Sequence, residues 1–198
     1  MLIIYKVLSM LPQSTKILSA FTIAFNTEGI CFLPGIAFVH AAQIMVGHNF
    51  GANNVKNAEK SVWICAGFGS SLMALMGLPM ILFPDFLLSV FTNDPEVISI
   101  GSLYLMLMGA SQVFLGFKFI LMGGINGAGD TKTPLYIELV EHWGFRIPLV
   151  LLFLIIFNHS EKTVWFIMAA SLVLSSIATF IIFQTGYWKK LRLLEKRE

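Results

Sequence analysis

The stretch Val97 to Phe117, VISIGSLYLMLMGASQVFLGF, contains no Asp, Glu, Lys or Arg. Wound as a helix rising 1.5 Å per residue it is about 30 Å long, the thickness of a bilayer's hydrocarbon core. Working outward, Ser61 to Pro84 and Thr163 to Trp188 are equally free of charge, and each is bounded by a polar, Gly-rich or Pro-rich connector. Pro134 to Phe157 is also long enough to cross; it is apolar from Ile147 onward and carries Glu138, Glu141, His142 and Arg146 nearer its start. Phe21 to Val46 forms a further span interrupted by Pro34 and Gly35, which a membrane helix tolerates because its neighbours re-satisfy the freed backbone groups. Residues 1–198 are therefore expected to form a single all-α transmembrane bundle with five complete spans.

Composition agrees. Hydrophobic residues make up 57% of the chain and charged residues 12%, too little charge to clothe a soluble globule of this size. The net charge of +2 is small and clustered, which gives no reason to expect a nucleic-acid partner. Cys31 and Cys65 lie in apolar stretches without metal-ligand spacing, so neither a disulfide framework nor a metal site is implied.

Leu2 to Leu11 is apolar but about half the length of a crossing and carries Lys6. No charged leader precedes it and no small-residue cleavage site follows before Pro12, so it reads as the stub of a truncated crossing rather than a signal peptide. Connector charge sets the orientation. Lys56, Lys60, Lys132, Lys189, Lys190, Arg192, Lys196 and Arg197 fall on one side; Lys16 and Lys162 fall on the other, beside Asp85, Asp94, Glu96 and Glu161. The first side is expected to be cytoplasmic, with 189–198 as a basic cytoplasmic tail.

Two connectors on that side are glycine-rich: Val46 to Asn54, with Gly47, His48 and Gly51, and Gly127 to Pro134, with Gly129, Asp130 and Thr131. Gly suits a turn with positive φ, Asp or Thr caps the next helix, and Pro134 suits its first turn. Asp130 separates Gly129 from Thr131 and Lys132, and no second glycine stands at P-loop spacing, so no nucleotide site is implied.

Taken in order, Phe32-Leu33-Pro34-Gly35, Val46 to Ala52, Phe91 to Ile98, Gly127 to Thr131 and Arg146 to Pro148 resemble the multidrug and toxic compound extrusion family. Phe32 to Ala52 is similar to motifs of the eighth of that family's twelve helices. Gly127 to Thr131 is similar to the loop between the tenth and eleventh, and Gly186 to Lys189 resembles the end of the twelfth. His48 and Asn126 depart from the family pattern. The resemblance implies the carboxy-terminal half of an inverted-V transporter in the inner membrane. It further implies export of small organic cations, driven by sodium ions or protons with no other cofactor, and a missing amino-terminal half or a second chain as partner beside the lipid bilayer. A lipid-linked sugar flippase of the wider superfamily and a non-transporting membrane fragment remain as alternatives. An intramembrane enzyme is disfavoured, since no catalytic constellation is found.

Ionisable groups at membrane depth rank first as pathway candidates, because each costs about 3 kcal/mol unless it faces protein or water. Glu138, His142 and Arg146 are spaced by four, with Glu141 beside their stripe, so all four share one helical face. They suit either a proton or cation relay or an ion-pair stripe that locks helices. Lys118 must face a cavity, pair, or snorkel toward Gly127, and snorkelling is expected. Glu28 is expected at the outer membrane boundary, although a cavity-facing position would make it a cation ligand. Gln43, His40 and Gln112 line a polar path or bond helix to helix.

Overall fold

The computed structural model describes residues 2–156 and 160–189. Among them the chain is helical throughout its elements and forms no strand. Helix α1 spans Leu2–Leu8, α2 Ser14–Gly51, α3 Val55–Leu82, α4 Pro84–Ser89 and α5 Pro95–Gly127. Helix α6 is Lys132–Leu139; a π-helical segment follows over Val140–Arg146 and leads into α7, Ile147–Ile156, while α8 is Glu161–Gln184. Phe157, the far end of the fifth expected span, and residues 190–198 of the expected tail lie outside the described residues.

Four helices, α2, α3, α5 and α8, are long and apolar enough to cross a membrane. The fifth expected crossing runs unbroken from 132 to 156 but changes winding in its middle, so no one α-helix of spanning length occupies it. The observed helices also outrun their apolar cores. Helix α2, expected from Phe21, begins at Ser14, and at 38 residues is about 57 Å long. Polar residues such as Lys16 and Asn49 extend it at both ends because nothing in them terminates a helix. Pro34 is accommodated inside it.

The glycine-rich motifs are only partly loops. Val46 to Gly51 completes α2, leaving Ala52 to Asn54 as the turn, in which Asn53 rather than a glycine takes the positive φ of 58°. Asn54 then caps α3, its side chain accepting from the Asn57 N–H at 3.1 Å. In the second motif Gly129 does take φ 92°, and the Asp130 carboxylate accepts from the Thr133 N–H at 3.0 Å and the Thr133 hydroxyl at 2.6 Å.

Helices α2, α3 and α5 pack against one another, and α8 lies against α5. Lipid is as apolar as a leucine side chain, so close fit rather than water exclusion holds such helices together. Small residues supply the fit. A Cβ at Gly77 would collide with the Gly109 carbonyl oxygen, one at Gly123 would lie 2.7 Å from the Val39 carbonyl oxygen, and one at Gly127 would run into the Gln43 backbone. Aromatic clusters close the two ends of the bundle. Phe21 stacks on Trp165 at 5.3 Å and meets Tyr104 edge-on at 5.4 Å; at the other end Phe183 stacks on Trp188 at 4.9 Å. Helix α1, seven residues long and too short to span, docks at the first of these ends through Ile4, Val7 and Leu8.

The connectors expected on the cytoplasmic side do share one end: Gly47 lies against Gly127, and Lys189 pairs with Glu59 at 2.8 Å. At the opposite end Lys16 pairs with Glu96 at 2.6 Å.

Candidate functional site

Charged residues in the interior of the bundle converge on one place. Helix α5 carries Lys118 inward at 2% exposure, and the π segment sets Glu141 and Arg146 opposite it, at 4% and 6%. Lys118 pairs with Glu141, and it lies 2.6 Å from Glu138 but out of line for a hydrogen bond. Arg146 pairs with the other oxygen of Glu141 and donates from Nε to the Ser171 hydroxyl of α8 at 2.8 Å. Its Nη1 is 3.2 Å from His142 Nε2, while His142 Nδ1 is 3.1 Å from the Glu138 carbonyl oxygen. That geometry fits a neutral His142 protonated on Nδ1, donating to the carbonyl and accepting from Arg146.

The winding of the segment decides which groups meet. In an α-helix residues five apart point roughly 140° away from each other, which would turn Glu141 and Arg146 to different faces. A π-helix bonds i to i+5 and stacks those residues, as the Ile147 N–H bonded to the His142 carbonyl marks here. The face expected for Glu138, Glu141, His142 and Arg146 is therefore present, and it is the change in winding that turns Glu141 fully onto it.

Snorkelling, the expectation for Lys118, is replaced by pairing: its ammonium lies between the Glu138 and Glu141 carboxylates, and the side chain is buried. Glu28 also departs from expectation. Because α2 starts at Ser14, Glu28 lies about 21 Å along the helix, where it accepts a hydrogen bond from Tyr104 at 2.6 Å. It faces a cavity of about 300 Å³ whose lining also includes Lys118, Glu138, Glu141, His142 and Arg146. Tyr104 and Ser171 are the site's residues that sequence reasoning missed, and neither carries a local signal, since each becomes polar lining only through a partner in another helix.

The remaining candidates fall elsewhere. Gln43 is exposed on α2, and so is His40. Gln112 is fully buried against Gly77 of α3, and neither amide atom has a hydrogen-bond partner among the described residues. An unmet buried amide is costly, so Gln112→Met, which keeps the volume, is expected to stabilise the bundle by about 1 kcal/mol in detergent unfolding. A fall in stability would show that the amide has a polar partner. Pro34, Gly35, Gly47, His48, Gly51, Gly127, Gly129, Asp130, Thr131 and Pro134 shape helix contacts and turns rather than the cavity.

Donor atoms of Glu138, Glu141 and His142 lie within 4.8 Å of one another, a spacing suited to a bound cation. The Lys118 ammonium already sits between the two carboxylates, so an added ion must share or displace it. In one cavity, three carboxylates therefore face one lysine and one arginine.

A MatE family model matches residues 1–152. The probable multidrug resistance protein NorM of Mesorhizobium japonicum is 31% identical over 75% of this chain and 33% of its own length. The NorM protein of Thermotoga maritima is 27% identical over 88% of this chain and 38% of its own. The probable multidrug resistance protein YpnP of Bacillus subtilis is 27% identical over 91% and 40%. The chain thus spans well under half the length of these relatives.

Proposed function

The chain belongs to the multidrug and toxic compound extrusion family, a family of multi-pass membrane transporters rather than enzymes, and from that premise we propose that it supplies an ion-coupling site to a cation-driven exporter of organic cations. The observation that carries this reading is the charge count. With Glu28, Glu138 and Glu141 ionised against Lys118 and Arg146, the cavity holds one negative charge too many. An uncompensated charge at membrane depth costs several kcal/mol, which binding of one proton or one monovalent cation removes.

Such a site drives export when the ion prefers one conformation and the substrate another, since a ligand with equal affinity for both states shifts nothing. A sugar-lipid flippase would want a cavity with cations in excess, and here the carboxylates outnumber them. The paired basic connectors favour an inner-membrane protein with its Lys189 end in the cytoplasm.

Glu28 is the carboxylate whose partner is a neutral hydroxyl. Glu28→Gln leaves two carboxylates against two cations while its amide oxygen still accepts from Tyr104. Titration of the purified chain with sodium chloride at fixed pH, and with acid at fixed sodium, is expected to show about one cation or proton taken up per chain. The Glu28→Gln variant is expected to take up none. Undiminished uptake by the variant would remove the basis of the reading. In liposomes holding a fluorescent organic cation, the corresponding expectation is efflux that responds to an imposed sodium or proton gradient and loses that response in the variant.

A further inference from the structure

A groove of about 220 Å³ runs between α5 and α8 toward the end of the bundle that carries Lys189, lined by Val113, Phe114, Phe117, Ser176, Ile177 and Phe180. It opens outward, since Phe114, Ile177 and Phe180 are all exposed. Its one hydroxyl, Ser176, already donates to the Phe114 carbonyl at 3.1 Å, so what the groove offers is apolar. Trp63 of α3 stands at its Lys189 end, with its ring centre 6.1 Å from those of Phe117 and Phe180. Beyond Trp63 the surface turns basic. Lys60 and Lys56 share its face of α3, about 5 and 10 Å nearer the helix start, and both are exposed. Neither takes part in an ion pair among the described residues. Lys189 joins them from the end of α8, pairing with Glu59 at 2.8 Å and lying 5.5 Å from the centre of the Trp188 ring. Three lysines thus stand against one glutamate, an excess of two positive charges beyond a lipid-facing groove.

Tryptophan near the end of a membrane helix marks the level where acyl chains give way to head groups. We propose that the groove and the lysines together hold one diacyl phospholipid with an anionic head group. One acyl chain lies along Phe114, Ile177 and Phe180, the ester region sits beside Trp63, and the phosphate reaches Lys56, Lys60 and Lys189. Charge and depth select this occupant. A zwitterionic phospholipid would set its own ammonium among the lysines. A fatty acid held in the groove would end at the level of Trp63, about 10 Å short of Lys56. Free phosphate would meet the lysines and leave the groove unfilled. A lysine near the membrane surface strengthens the attraction to anionic lipid about fivefold, so the excess of two charges makes a selective site. The lipid would also tie α3 to α8, which meet at this end through the Trp63 ring and the Lys189–Glu59 pair.

The test is native mass spectrometry of the 198-residue chain in detergent, offered dioleoyl phosphatidylglycerol, the phosphatidylcholine of the same chains, and glycerol phosphate in separate runs. One phosphatidylglycerol per chain is expected to stay bound, about twentyfold more tightly than phosphatidylcholine, the scale of two lysines. Glycerol phosphate is expected not to bind. Lys56→Gln made together with Lys60→Gln is expected to bring phosphatidylglycerol down to the level of phosphatidylcholine. Ile177→Trp, which fills the groove from a lipid-facing position, is expected to weaken both lipids. The far-ultraviolet circular dichroism of the helices is expected to be unchanged in both variants. Both leave Lys190, Arg192, Lys196 and Arg197 in place, so phosphatidylglycerol retained undiminished by either variant would belong to the tail and overturn the proposal. Equal retention of the two lipids, or retention of glycerol phosphate, overturns it as well.

Discussion

Replacing Arg146 by Leu is expected to lower the stability of the bundle by about 3–5 kcal/mol, the cost of breaking a buried ion pair from one side. Arg146 holds Glu141, bonds Ser171 of α8 and lies against His142, so the replacement strips three groups of a partner at once. It also deepens the negative excess of the cavity, which then holds Lys118 as its one fixed cation. The double replacement Arg146→Leu with Glu141→Leu is expected to lose less than Arg146→Leu alone, because Lys118 and Glu138 remain as a balanced pair. Thermal midpoints of the detergent-solubilised variants decide the matter. An Arg146→Leu protein as stable as the parent would mean that the network is wet and weakly coupled.

Gly127→Val is expected to cost about 3 kcal/mol, at the upper end for overpacking. The added Cβ would meet the carbonyl oxygen, carbonyl carbon and Cα of Gln43, and backbone atoms inside a long helix have no rotamer by which to move aside. Helices α2 and α5 must part instead, and Gly47, whose own nearest neighbour is the Gly127 carbonyl, parts with them. Gly51 is the control. It has open space where its Cβ would stand, so Gly51→Ala is expected to leave the unfolding midpoint unchanged or slightly raised. Equal loss in both variants would show that glycine acts here through chain flexibility rather than through contact.

The contrast between these glycines marks the reach of the sequence. That Val97 to Phe117 crosses a membrane follows from hydropathy alone, and α5 contains it. Where α5 ends does not follow, because Lys118 to Gly127 holds three glycines and stays helical only through its close contacts with α2 and α3. Gly127 looked like a turn residue since glycine serves turns and close helix contacts equally well; the crossing of α2 and α5 selects the second role. Lys118 was misplaced for a related reason. A lone lysine near the end of an apolar run ordinarily reaches for water, and what retains it is a carboxylate pair on a helix that the chain builds only after a turn. The stripe of Glu138, His142 and Arg146 was legible because spacing by four survives either winding. Glu141 was legible as the neighbour of that stripe, but the winding that stacks it on Arg146 was not, since a π-helix has no residue signature in this stretch. Glu28 shows the same limit from its partner's side: Tyr104 is the group that makes it part of the cavity, and the two are 76 residues apart.

A π-helical turn is an α-helical turn made to house one residue too many. The crossing from 132 to 156 therefore carries a length mark that hydropathy does not register. Delete one residue between 142 and 145, and the helix is free to rewind as α with its two halves kept in register, leaving Glu141 and Arg146 four apart and still on one face. In an alignment the ion network would thus show itself in the spacing of its two charges: five apart where the helix carries the extra residue, four apart where it is regular.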